Sequence, residues 1–229
     1  HPVDRDVHDV RRDERQGVGR PRERRARVVD GGVEVLQAVG QIVTLREFGD
    51  PLQSRSGRRL PARRETDGRV DGFICSVGSG GSLAGIAAAL RARKPQVKIG
   101  LADPYGAALY DYYVNGELKS EGTSITEGIG QGRITANLEG LTIDHAYRVA
   151  DDEMLEVLFA LVEDEGLCLG GSAALNVAGA VRMAKDLGPG HTIVTLLCDH
   201  GSRYQSKLFN PAFLRERGIA DDMLAEWLA

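Results

Sequence analysis

From about residue 70 the chain alternates short apolar runs with longer stretches of helical periodicity. Phe73-Ile74-Cys75-Ser76-Val77 is a β-rich apolar run of the kind that fills a buried parallel strand. Five small residues follow, and Leu83–Lys94 then reads as an Ala-rich helix with a basic end. Val97–Ala102 predicts a second strand, running into Asp103. From Asp151 the residues Met154, Leu155, Leu158, Leu161 and Val162 form one helical stripe, as core packing requires. Ser172–Leu187 predicts a further helix whose alanines and Gly179 permit close approach to a sheet, closed by Gly188-Pro189-Gly190. A strand from Ile193 and two short helices, Pro211–Arg217 and Asp221–Leu228, complete the pattern. Strands alternating with helices through short connections predict an α/β fold, a parallel sheet flanked by helices.

The first 66 residues lack that order. Residues 1–70 hold 16 Arg, no Lys and 12 acidic residues, and only Phe48 among the 12 aromatic residues of the chain. The local charge is therefore +4, against −8 for residues 71–229. Two readings stay open for residues 1–66: a disordered Arg-rich extension, or GC-rich coding DNA translated out of frame. A basic arm for an acidic partner fits less well, because Asp13, Glu14, Glu23 and Asp30 interleave with the arginines. Only Val33–Leu45 has a pattern fit for a helix or strand. The expected division is residues 1–66 as this segment and 67–229 as the ordered α/β portion.

Composition removes several function classes. No apolar run approaches the ~20 residues of a membrane span. Cys75, Cys168 and Cys198 are widely spaced, without zinc spacing or an even count, so no metal site is expected and a reducing, cytoplasmic setting is. The net charge of −4 gives no reason to expect nucleic acid. His145 and His191 read as solvated loop residues, and Cys198-Asp199-His200 as a strand end, since adjacent side chains point to opposite faces. Tyr105, Tyr110, Tyr112 and Tyr113 read as packing of a long loop more than as a pocket or dimer lining.

The chemistry sits in Gly78-Ser79-Gly80-Gly81-Ser82, between a strand and a helix. A helix start offers unpaired N–H groups and a positive dipole end, glycines let backbone approach a ligand, and the serines add hydroxyl donors. Phosphate binding is the expectation. No Lys precedes Ser at the loop's end, which excludes a nucleoside-triphosphate loop of the Walker type. The dinucleotide fingerprint fits poorly at Leu83, although Asp103 lies at a suitable distance for a ribose contact.

Val77–Gly85 (VGSGGSLAG) resembles the phosphate loop of the cysteine synthase (O-acetylserine sulfhydrylase) family, pyridoxal 5′-phosphate (PLP) enzymes of the tryptophan-synthase-β fold type. Two more blocks resemble it in the same order: Glu127-Gly128-Ile129-Gly130-Gln131-Gly132, and Gly170–Ala174 followed by Ile193–Lys207. The resemblance runs from about residue 66 to about 217 and covers the C-terminal part of such an enzyme. It implies PLP as cofactor and β-replacement of O-acetylserine by sulfide, giving cysteine and acetate. A small amino-acid substrate and a homodimer of the complete enzyme are implied with it. Cofactor contacts are then expected from Gly78, Ser79, Gly80, Gly81, Ser82 and His200, and substrate-side contacts from Gly128, Ile129 and Gly130. The relatives' alternatives, cysteine desulfhydrase or cystathionine-forming chemistry, and a non-catalytic phosphate-binding module, also stay open.

Two departures qualify the resemblance. His200 stands where the family commonly has a serine on the cofactor's pyridine nitrogen. The family's Schiff-base lysine lies far upstream of the phosphate loop, whereas the first lysine here is Lys94. Lys94, Lys98, Lys119, Lys185 and Lys207 fit helix ends and surface turns. The sequence therefore nominates no catalytic residue and predicts an inactive chain.

Overall fold

The computed structural model describes residues 40–45, as backbone, and 68–219. Five strands form one parallel sheet: β1 (Gly40–Leu45), β2 (Gly72–Cys75), β3 (Lys98–Pro104), β4 (His145–Val149) and β5 (His191–Leu196), in the spatial order β1-β5-β2-β3-β4. β5 pairs with β1 from Gly40↔His191 to Leu45↔Leu196 and with β2 at Gly72↔Ile193 and Phe73↔Val194. β3 pairs with β2 from Gly72↔Lys98 and with β4 from Gly100↔His145. The readings offered for residues 1–66 and for Asp221–Leu228 otherwise fall outside the described residues.

Alternate strand residues feed two apolar layers, as a two-residue period demands. Phe73, Cys75, Ile99, Leu101 and Val194 pack against Leu83, Ile86 and Leu90 of α1 (Gly81–Arg91) and Leu109 of α2 (Leu109–Asn115). On the other face Ile74, Ala102 and Ile193 meet α3 (Asp151–Glu163) and α4 (Gly171–Leu187). Met154, Leu155, Leu158 and Leu161 of the predicted stripe are buried on α3, joined by Phe159, while Val162 is only half-buried. α4 crosses the middle of the sheet, where a Cβ on Gly179 would lie 2.7 Å from Ala102 Cβ. The absent side chain is what lets this helix seat so closely. Gly188, at φ +79°, ends α4 as expected, and α5 (Pro211–Glu216) docks Leu214 into the same layer.

Three expectations need correction. α1 starts at Gly81 rather than Leu83, so Gly81 and Ser82 belong to its first turn. Low-propensity residues are tolerated there because the first N–H groups have no intrahelical partner to lose. His145 and His191 open strands β4 and β5 instead of lying in loops. Neither is simply solvated: His145 Nδ1 is 3.3 Å from Tyr147 Oη and 3.7 Å from Asp186 Oδ2, and His191 Nδ1 lies 3.1 Å from the Gly188 carbonyl.

Candidate functional site

Parallel strands deliver their connections to one edge, and ligands of such sheets bind outside the carboxyl ends. Here the ends of β2 and β5 are neighbours, and Asn176 of α4 ties them together from below. Its Oδ1 accepts the Ser76 N–H (2.6 Å) and its Nδ2 donates to the Leu196 carbonyl (2.9 Å) and reaches Cys198 Sγ (3.5 Å). Asn176 is fully buried, so all its polar atoms must find partners inside the protein, and they do. Thr195, also buried, donates to the Ile74 carbonyl at 2.7 Å and closes the same seam.

The loop Gly78–Ser82 rises from this seam into α1. Gly80 takes the left-handed conformation at φ +84° and caps α1 without any side-chain hydrogen bond. The first turn of α1 contains no acidic residue. Among the described residues, none accepts a hydrogen bond from the N–H groups of Ser79, Gly80, Gly81 or Ser82. A Cβ on Gly81 would find its nearest neighbours only at 3.6 Å, so the cradle is open there. Ser79 and Ser82 are exposed beside it. Four unpaired donors, two hydroxyls and no nearby carboxylate form an anion cradle, and a phosphate group fits it.

The segment containing Gly128, Ile129 and Gly130 lies directly on this loop. The Gly130 N–H donates to the Val77 carbonyl at 3.0 Å, and a Cβ on Gly78 would come within 2.8 Å of the Gly128 carbonyl oxygen. Two anchors hold the segment from outside: Asp151 accepts from Ser124 Oγ (2.6 Å) and the Ile125 N–H (2.9 Å), and Lys207 forms an ion pair with Glu127. Residues separated by some fifty positions in sequence thus meet at one sheet edge.

His200 stands at the carboxyl end of β5, exposed, where its side chain accepts from the Ser202 N–H at 3.2 Å and caps a short 3₁₀ turn, Gly201–Tyr204. Its hydrogen bonds run to Ser202 and not to the glycine loop. Beside it, Asp199 Oδ2 accepts from Tyr204 Oη (2.6 Å), while Oδ1 is buried without a partner, close over Gly170. Burial pushes the Cys75 thiol above its ordinary range; the Cys198 thiol is raised as well, by desolvation, although the residue is exposed. No group of three metal-ligating side chains occurs among the described residues. The expected long loop is partly helix, with Tyr110, Tyr112 and Tyr113 on α2, and Tyr105 and Tyr112 are exposed. The Arg148 guanidinium lies over Tyr110 (4.6 Å) and Tyr105 (5.3 Å) and pairs with Asp111, and Tyr112 meets Tyr113 edge-on. Asn176 and the pair Thr135 and Asn137, which bind the Ser79 carbonyl at 2.8 and 2.9 Å, were not nominated from sequence.

Comparisons with known proteins bear on the family and the fold. The profile of the family described as "Pyridoxal-phosphate dependent enzyme" matches residues 24–199, a span that includes β1. The chain is 44% identical over 169 residues to cysteine synthase 2 of Schizosaccharomyces pombe, covering 68% of this chain and 43% of that protein. It is also 44% identical over 160 residues to cysteine synthase 1 of Emericella nidulans, with the same coverage. The crystal structure of an O-acetylserine dependent cystathionine β-synthase from Helicobacter pylori superposes with a TM-score of 0.57 at 30% identity, over 63% of this chain and 45% of that one. The chain spans less than half the length of these relatives. With a parallel sheet flanked by helices and a family match over residues 24–199, the chain belongs to the pyridoxal-phosphate dependent enzymes, in their cysteine synthase family.

Proposed function

We propose that this chain carries the cofactor half of a PLP-dependent β-replacement site, the class of reaction that turns O-acetylserine and sulfide into cysteine and acetate. The observation that carries the reading is the cradle: the N–H groups of Ser79, Gly80, Gly81 and Ser82 have no acceptor among the described residues, at a helix start without acids. PLP would supply an electron sink for charge at the substrate's α-carbon. The chain's own residues bind and orient. The cradle anchors phosphate; Gly128, Ile129 and Gly130 present backbone on the substrate side. With Nδ1 of His200 committed to Ser202, its Nε2 is the atom left for a ligand's ring nitrogen.

Residues 67–229 are the PLP-binding portion in this reading, acting on a small amino acid in the cytoplasm and, in the complete enzyme, as a homodimer. No lysine precedes Lys94, which pairs with Asp71, and Lys207 pairs with Glu127. The chain therefore holds the cofactor through phosphate and is not by itself competent for turnover. Cystathionine formation is the second reading, favoured by the likeness to the Helicobacter pylori enzyme, an O-acetylserine dependent cystathionine β-synthase.

Titration with PLP followed by absorbance tests the proposal. Saturable retention, competed by inorganic phosphate, is expected, without the band at about 410–420 nm that a lysine-linked cofactor gives. Absence of retention overturns the cofactor reading. Appearance of the band overturns the claim that turnover lacks its lysine.

A further inference from the structure

The cradle does not shape itself. Its backbone carbonyl at Ser79 is held by two side chains from a distant loop, Thr135 Oγ1 at 2.8 Å and Asn137 Nδ2 at 2.9 Å. A trans peptide points its C=O and the following N–H in opposite directions. Fixing the Ser79 oxygen on the Thr135 side therefore fixes the Gly80 N–H on the other. Gly80 is buried, and its N–H has no acceptor among the described residues. A buried donor of this kind demands a partner, and the geometry supplies one place for it, the anion cradle.

The same loop grips Gly80 sterically. A Cβ there would fall 2.7 Å from Leu138 Cγ and 3.1 Å from Thr135 Oγ1. At its other end the loop continues back to Gly130 and Gly128, which already touch Val77 and Gly78. One stretch, Gly128–Leu138, thus contacts the loop at Val77, Gly78, Ser79 and Gly80. Asn137 is exposed and Thr135 half-buried, so their hydrogen bonds to Ser79 contribute little to the core and are explained better by what they orient.

We propose that Thr135 and Asn137 are positioning residues for the phosphate: they clamp the Ser79–Gly80 peptide so that the Gly80 N–H faces the anion. This rests on the PLP reading above. Releasing the clamp lets the peptide rotate and present its carbonyl oxygen to the phosphate, which repels it.

The test uses the full chain, its Thr135→Val/Asn137→Leu double variant, and Thr135→Ser. Dissociation constants are measured for PLP and for pyridoxal, which lacks the phosphate, and the Gly80 amide resonance is followed in ligand-free protein labelled with 15N-glycine. The double variant is expected to bind PLP about tenfold more weakly, with pyridoxal affinity unchanged, the Gly80 resonance displaced and Tm nearly constant. Thr135→Ser, which keeps the hydroxyl, retains the affinity. Equal PLP affinity in the double variant, or an equal loss for both ligands, overturns the clamp. If the unsubstituted chain does not prefer PLP to pyridoxal, the phosphate reading fails. The ligand-free spectrum then decides the clamp alone: an unmoved Gly80 resonance overturns it, and a displaced one upholds it.

Discussion

Helices α1 and α2 both start just beyond the carboxyl end of a parallel strand, and both pack on the same face of the sheet. Their N-termini are nevertheless treated in opposite ways. α2 receives an anion from its own chain: Asp103, at the end of β3, accepts from the Tyr110 N–H at 2.9 Å and from the Leu109 N–H. Arg148, Asp111 and Glu121 complete a charged knot around it. α1 receives nothing. Gly80 caps it without a side chain, and its first-turn donors point at no protein acceptor among the described residues. A strand–loop–helix junction is left free for an external anion only where the chain withholds its own carboxylate. α3 gives the same lesson, with Asp151, Asp152 and Glu153 in its first turn.

The comparison breaks if α1 is given what α2 has. Gly81→Asp places a carboxylate in open space in the first turn, where a Cβ meets nothing nearer than 3.6 Å. PLP affinity should fall on the order of a thousandfold, because like charges ~4 Å apart at an effective dielectric of ~20 repel by about 4 kcal/mol. Tm should hold or rise, since an acid at a helix start stabilises by about 0.3–1 kcal/mol. A parallel loss of stability and affinity, read by calorimetry, would show that the loop is structural and not a ligand site.

Next comes the seam beneath both junctions. Asn176→Leu keeps the volume but strips partners from the half-buried Ser76 N–H and the buried Leu196 carbonyl. Stability measured by denaturant unfolding should drop by about 3 kcal/mol, the usual order for two orphaned polar groups. An unchanged midpoint would mean that the β2 and β5 ends hold together without α4.

How much of this could be read from the chain follows from sequence distance. The strand, the glycine loop and α1 are contiguous, so their periodicity and glycine cluster announce one another within about twenty residues. The facing segment Gly128–Gly130 was visible only through resemblance, because glycine alone does not say what it approaches. Thr135 and Asn137 sit 56 and 58 positions from Ser79, and Asn176 sits 100 from Ser76. Threonine and asparagine are ordinary loop and helix residues with no period of their own, so their roles appear only once the sheet order brings them to the loop. His145 and His191 were misread for a related reason. Each opens a strand on its polar side, and a strand's first residue need not look apolar when only its later residues enter the core.

Asp103 breaks the comparison from the other side. Burial raises its pKa to about 6, partly offset by the N–H groups of Tyr110 and Leu109 and by the charge of Arg148, with Asp111 adding to the rise. The folded state holds this proton more tightly than the unfolded chain, whose carboxyl titrates near 3.8. Its contribution is therefore full below ~4 and lost as pH climbs through ~6, a swing of about 3 kcal/mol. Asp71 and Asp144, both lowered by ion pairs and backbone N–H groups that outweigh burial, act in the opposite sense and at lower pH. Asp103→Asn should remove the loss of stability between pH 4 and 7 that the unsubstituted chain shows. The same slope in both proteins would mean that α2 is not capped by a titrating group.

The smallest effect belongs to the middle of α4, away from any helix start, where only packing is at stake. Gly179→Ala brings a methyl to 2.7 Å from Ala102 Cβ and 3.1 Å from Ile74 Cδ1. Helix propensity favours the alanine by up to about 1 kcal/mol, and overpacking against two sheet residues costs about 2. A net loss of about 1 kcal/mol is expected, equivalent to a few degrees in Tm for a domain of this size. PLP affinity should stay within twofold, because α4 would tilt at Gly179 while Asn176, nearly a turn earlier, keeps its hold on Ser76. A phosphate affinity that fell together with Tm would place the cradle's rigidity in the seating of α4 as well as in the loop facing it. The openness of α1's N-terminus would then be a property of the whole sheet and not of one junction.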